Sequence, residues 1–154
     1  MSSFEIYLRR LRVDDAFTSW RWRNDRRVWR YTGSKPDREI TLEVEAAWLA
    51  GVLEDTQSIR YAICLREKDT YIGNVQLTSV TEHTAEFHIF IGEPEYWNKG
   101  IGGKATASLL EIARDELALQ QIFLTVDKRN KAAVEIYRKQ GFLWQGDKMV
   151  KDLA

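Results

Sequence analysis

The chain has 154 residues, enough to bury one core, and its 44% hydrophobic and 30% charged residues are ordinary for a globular protein. Its 23 lysines and arginines balance its 23 aspartates and glutamates, which argues against a dedicated nucleic-acid binder, since that would need excess cation. The one cysteine, Cys64, excludes an internal disulfide and any multi-cysteine metal centre, and no metal is expected. The start Met-Ser-Ser-Phe-Glu lacks a basic and an apolar leader region, and no apolar run nears the ~18 residues of a membrane helix. A cytoplasmic chain with no membrane partner is the expectation.

In chain order, residues 5–12 read as a strand. Asp14 or Asp15 is placed to cap a first helix that carries Phe17 and Trp20 and ends near Asn24. Residues 33–38 have turn chemistry, and Thr41 is placed to cap a second helix presenting Val44, Trp48 and Val52. The period then switches to that of strands: 59–66 and 71–80 flank a polar tetrad, and 84–91 makes a third strand of the meander. A helix is expected from Gly100 to about Leu117, with Ile101, Ala105, Leu109, Ile112 and Ala113 on one face. A short strand at 122–126, a helix from Asn130 to Gln140 stopped by Gly141, and strands near 142–144 and 149–153 complete the chain. No repeat or linker divides it, so residues 1–154 form one α/β domain with a mixed, mostly antiparallel sheet and helices on both faces.

Charge is uneven locally. Residues 9–30 hold eight arginines against Asp14, Asp15 and Asp25, which reads either as a solvated face with local ion pairs or as a pocket wall for an anionic partner.

The main chemical signal is Trp97-Asn98-Lys99-Gly100-Ile101-Gly102-Gly103-Lys104, lying between a strand and a helix. Glycines let a backbone approach a ligand closely, and the first amides of a helix suit a pyrophosphate; Lys99 and Lys104 add charge. A P-loop is excluded by the glycine spacing and by the lack of Ser or Thr after the lysine. The dinucleotide fingerprint is excluded because Ala105 ends the glycine run and a meander, not a βαβ unit, precedes it.

A second segment joins the first: Asn130-x-Ala-Ala133-x-x-x-Tyr137-x-x-x-Gly141-Phe142. Together with Glu95-Tyr-Trp-Asn-Lys-Gly-Ile-Gly102 it resembles the GNAT superfamily of acetyltransferases, and the element order matches over almost the whole chain. The resemblance implies that acetyl-coenzyme A is the co-substrate and that residues 98–104, including Ile101 and Gly103, take its pyrophosphate. It implies that the strand ending Ile89-Phe90-Ile91 splays from its neighbour, with Phe90 and Ile91 offering backbone to the pantetheine and one amide to the thioester oxygen. Asn130 would bond the pantetheine beside Ala133, and Tyr137 would stand near the thioester sulfur as acid. Position 97 departs from the commonest pattern, Arg or Gln; Trp97 is similar to the ribosomal-protein alanine and polyamine acetyltransferase branches.

The chemistry fits these assignments. Amine attack on a thioester builds an oxyanion, which a preorganised amide stabilises by roughly 2.7–4 kcal/mol. The thiolate that leaves, with a pKa near ~8.5 like cysteine, is placed to take a proton from a tyrosine of pKa about 10 in a suitable site. The amine must first lose a proton. Glu86 is the candidate base, directly or through water, with His88 on the same strand face as a second candidate. Cys64 lies in an apolar run, so direct attack in a ternary complex is expected rather than an acetyl-enzyme.

The acceptor is an amine of a small molecule or a peptide. Trp20 to Asp25 resembles amino-sugar acetyltransferases, whereas Ile122 to Gly141 is similar to spermidine acetyltransferases. Trp22, Arg23 and Arg30 are the candidate acceptor residues beside His88, and their arginine-rich segment ranks an anionic amino sugar above a protein N-terminus and both above a polyamine. A non-catalytic acyl-CoA sensor or interaction module of the same fold is the alternative reading, and the assembly stays open, with a homodimer among the options.

Overall fold

A computed structural model describes residues 4–32 and 35–153. Its elements are β1 (Ile6–Arg10), α1 (Ala16–Asn24), α2 (Arg26–Thr32), α3 (Leu42–Leu53), β2 (Ile59–Leu65), β3 (Thr70–Thr78) and β4 (Thr84–Ile91). They continue with α4 (Ile101–Asp115), β5 (Gln121–Thr125), α5 (Lys131–Lys139), β6 (Leu143–Gln145) and β7 (Lys148–Asp152). The seven strands form one sheet in the order β1-β2-β3-β4-β5-β7-β6. Only the β4–β5 pair is parallel.

Strand alternation divides the sheet's side chains between two cores. Ile63, Leu65, Val75, Leu77, Ala85 and Phe87 point to one face and meet Ile101, Ala105, Leu109 and Ala113 of α4. That is the helix face expected from the sequence, with Ile112 half-buried at its margin. Ala62, Cys64 and Tyr71 point to the other face and meet Trp22, Val28 and Leu49 from α1, α2 and α3.

The early helices turn differently from their apolar period. In α1 the buried residues are Ala16, Ser19 and Trp22, while Phe17 is 66% exposed. Asp15 gives α1 no side-chain cap bond; its carboxylate accepts both ends of the Arg9 guanidinium, at 2.7 and 3.0 Å, and, at 2.8 Å, the Arg12 amide at the start of the short helical turn before α1. In α3 the Thr41 hydroxyl accepts from the Val44 amide as expected, yet Glu45 and Leu49 face inward and Trp48 outward. The reason is polar: Glu45 accepts from Ser19 at 2.7 Å and from Arg23 at 3.0 Å, so a charged residue takes a core position with its needs met. The helix α2 was not legible as an element. Asp25 restarts the chain there, its carboxylate accepting from the Arg27 amide and its carbonyl from the amides of Val28 and Trp29. Of the expected 33–38 loop, Gly33 and Ser34 lie outside the described residues, and Lys35 to Arg38 are not in a helix or strand.

Gly92, just after β4, sets the fit of α1 on the sheet. A Cβ there would lie 2.0 Å from Cδ2 of Trp22. The indole is 3% exposed, donates to Glu93 Oε1 at 2.8 Å and meets the rings of Tyr71 and Phe90. Gly92→Ala is expected to cost about 1–3 kcal/mol, the usual range for overpacking, read as a lower urea midpoint at unchanged slope.

Candidate active site

The β4–β5 ladder joins only Thr84–Glu86 to Gln121–Phe123, although β4 runs on to Ile91 and is paired with β3 from Glu86 to Ile91. Beyond Glu86 the two parallel strands part. Gly92 donates its amide to the Ile72 carbonyl on β3, so alternation turns the amides of residues 86, 88 and 90 toward β3 and those of 87, 89 and 91 into the gap. The Ile91 carbonyl follows this rule and accepts the Trp97 indole N–H at 2.9 Å. Ile89, which sequence reasoning did not single out, thus shares with Ile91 the backbone that faces the gap. Phe90 lines the gap too, while its ring packs on Trp22 on the far side of the sheet.

The gap is a cavity of about 450 Å³. One end is the glycine turn, where Asn98 and Gly100 take left-handed φ of 58° and 81°. The first bond inside α4 runs from the Lys104 amide to the Gly100 carbonyl, so the amides of Ile101, Gly102 and Gly103 precede it, as at any helix start. A Cβ at Gly100 would meet nothing within 4 Å, and one at Gly102 only Ile136 Cδ1 at 3.9 Å. That open space and the dipole of a fifteen-residue helix form a cradle that fits a pyrophosphate. Asn98, Lys99, Gly100, Ile101 and Gly102 line the cavity. Gly103 and Lys104 do not: the Gly103 carbonyl accepts from Gln140, and Lys104 Nζ donates to the Phe4 carbonyl at 2.6 Å. Lys104 is turned along β1 because the helix carries it past the turn.

The opposite wall comes from β5 and α5. Asn130 begins α5 by accepting the Ala133 amide on Oδ1 at 3.2 Å, which leaves its Nδ2 as the donor for the cavity it lines. Gly141, at φ 98°, ends the helix: the Phe142 amide bonds the Tyr137 carbonyl and the Gly141 amide that of Arg138, both at 3.0 Å. Phe142 is fully buried and holds Tyr137 edge-on at 5.9 Å, with Phe87 at 6.0 Å on the same phenol. Tyr137 and Ala133 both line the cavity, and so do Thr106, Thr125 and Ile136, which sequence reasoning missed. Thr106 carried no signal because its hydroxyl is spent on the Gly102 carbonyl, at 2.7 Å, inside an apolar helix face.

Through β4 lies a second cavity, of about 200 Å³, bounded by Trp22, Arg23, Glu45, Trp48, Asn74 and Phe90 among others. Phe90 borders both cavities, so β4 is the wall between them. Burial pushes the Tyr71 phenol pKa up, so this hydroxyl stays protonated and donates to Asn74 Oδ1. Glu86 and His88 point to this same face, with 3.7 Å between Oε2 and Nε2, and His88 Nε2 also meets Thr78 Oγ1 at 3.1 Å. Neither lines either cavity, and Arg30 is exposed on α2 away from both.

Three of the eight arginines between residues 9 and 30 are held in ion pairs. Arg9 is bound to Asp15, Arg23 to Glu45 and Arg27 to Asp25, while Arg12, Arg21, Arg26 and Arg30 are exposed. The Asp25 carboxyl is held below its usual range by the Arg27 guanidinium. Among the described residues, no three His, Cys, Asp or Glu side chains gather as they would around a metal ion, and no helix is long and apolar enough to cross a membrane.

Residues 5–143 match the acetyltransferase (GNAT) domain family. The spermidine N(1)-acetyltransferase of Escherichia coli K12 is 30% identical over 148 residues, 96% of this chain and 78% of that protein. An uncharacterized N-acetyltransferase of Bacillus subtilis, YnaD, is 25% identical over 92% of this chain and 81% of its own. Among solved structures, the spermidine N-acetyltransferase of Vibrio cholerae in complex with CoA and spermine superposes with a TM-score of 0.80 at 24% identity, covering 96% of this chain and 92% of that one. With a parted β4–β5 pair, a glycine turn opening α4 and a family match over most of its length, the chain belongs to the GNAT acetyltransferases and is an acetyl-CoA-dependent N-acetyltransferase.

Proposed function

We propose that the acceptor is a primary amine of a small polyamine-class molecule such as spermidine, acetylated by direct attack in a ternary complex. The observation that carries this reading is the 30% identity to a spermidine N(1)-acetyltransferase across 96% of the chain. It reverses the order drawn from the arginine-rich segment, of which Arg9, Arg23 and Arg27 are each paired with a carboxylate. The carboxylates of Glu86 and Glu93 on or near the acceptor face suit a cation.

In this reading acetyl-CoA supplies the activated acetyl group along the β4–β5 gap. The amides of Ile89 and Ile91 pair with its arm and stabilise the oxyanion, the amides of Ile101 and Gly102 hold the pyrophosphate, and Asn130 donates to the pantetheine. Tyr137 gives its proton to the departing thiolate. Glu86, acting through water because it stands outside both cavities, takes the proton that the acceptor ammonium must lose.

The test is release of the CoA thiol with spermidine, a nucleotide-linked amino sugar and an alanine-starting peptide. Turnover is expected with spermidine; turnover confined to the sugar or the peptide would overturn the proposal. Glu86→Gln is expected to remove the acid-side limb of the pH profile of kcat/KM, because no base is left there to be protonated, and to lower the plateau about tenfold or more. An unaltered profile would take Glu86 out of the mechanism.

A further inference from the structure

Glu45 is 2% exposed, and its carboxylate is matched by the Ser19 hydroxyl and the Arg23 guanidinium. The guanidinium carbon of Arg23 also stands 5.6 Å from the centroid of the Trp48 ring. A carboxylate together with the face of an indole is a favourable setting for an organic cation. Here the chain itself provides the cation. The two partners are unequal: the Glu45 side chain is 3% exposed and that of Arg23 is 40% exposed, so the acid is fixed and the cation sits at the rim. Arg60 lies over the same indole at 5.9 Å, but among the described residues only Arg23 joins this ring to a carboxylate. Glu45, Trp48 and Arg23 all line the cavity whose wall, Phe90, is shared with the cofactor groove.

We propose that Glu45 and Trp48 form a binding site for an alkylammonium group, closed by Arg23 as an internal occupant, and that the distal ammonium of a polyamine acceptor displaces Arg23 from it. Arg23 is then a specificity-determining residue, setting how readily the enzyme takes an acceptor with a second positive charge. The site is a matter of charge balance. A buried carboxylate stripped of its paired cation is strongly unfavourable, so the site favours keeping a cation beside Glu45. Entry of an ammonium lets Arg23 swing into solvent, where a guanidinium costs little to hydrate. The kinetic part of this inference rests on the polyamine reading; the binding part does not.

Two measurements test it. Arg23→Ala is expected to lower the melting temperature, and millimolar propylammonium or methylguanidinium chloride is expected to restore it, compared with sodium chloride at equal ionic strength. The same salts should do nothing for the native protein or for Arg23→Ala/Glu45→Gln. No recovery in the single variant, or equal recovery in the double variant, overturns the site. If the alanine variant does not fold, Arg23→Gln, neutral and of similar length, carries the same measurement. In the second, KM for spermidine is expected to fall about tenfold in Arg23→Gln, the size of one good cation contact, and by clearly more than KM for butylamine changes. The two constants moving together overturns the specificity role. Native enzyme that acetylates no polyamine removes the acceptor reading, and the salt recovery still decides whether the cation site exists.

Discussion

Gly102→Asp is expected to abolish CoA binding while leaving the fold intact. The backbone of Gly102 is helical and an added Cβ would meet only Ile136 Cδ1, at 3.9 Å, so the protein itself has room for the side chain. The ligand does not. A carboxylate at the second residue of α4 would project into the space assigned to the pyrophosphate and put like charges together, which costs several kcal/mol, or a loss of affinity of about 100-fold or more. Calorimetry with CoA, next to circular dichroism of the variant, is the check. A folded variant that binds CoA as tightly as the native protein would move the pyrophosphate to another part of the cavity. Gly102→Ala serves as the companion, since it adds bulk without charge.

Tyr137→Phe is expected to keep CoA affinity and lose turnover. The phenol is clamped edge-on by Phe87 and Phe142, and those ring contacts survive loss of the hydroxyl, so the variant is expected to fold. In the proposed mechanism what disappears is the proton for the thiolate, and general acid catalysis is typically worth ~10²–10⁴-fold. The measurement is single-turnover acetyl transfer at saturating acceptor, so that product release does not mask the chemical step. A rate within about twofold of native would show that the thiolate leaves without help from this residue, a change far below the usual contribution of an acid.

The parts of the fold set by a clean period were legible from the residues alone. The meander of β2, β3 and β4, the apolar face of α4, and the Asn130 and Gly141 ends of α5 each follow from local rules that tertiary packing does not override. The candidate site was legible for a related reason: a glycine turn and a capped helix are local features. What failed was the orientation of α1 and α3. Their inward faces carry Ser19 and Glu45, polar residues that an apolar count discards, and only the cross-helix pairing of Glu45 with Arg23 explains why they are inside. Likewise a sequence shows eight arginines but not that Arg9, Arg23 and Arg27 face carboxylates. Lys104 was misjudged by helix geometry: its place near the glycines in sequence does not bring its Nζ to the turn. Phe90, whose amide turns toward β3, was singled out in place of Ile89 because backbone direction depends on which residue of β4 bonds β3, a register that no side-chain pattern records.

The early parting of β4 from β5 also bears on how the protein keeps its shape. A strand with one side unpaired is a sheet edge, here an interior one, and open edges are where chains find unwanted partners. A ligand lying along that edge completes the hydrogen bonding of the sheet and binds only the folded form. By mass action a ligand at a hundred times its dissociation constant adds about 2.7 kcal/mol to the folded state, a sizeable share of the ~5–15 kcal/mol that holds a typical domain together. Coenzyme bound along this edge would therefore protect the folded molecule against heat, proteases and its own neighbours as well as feed the reaction.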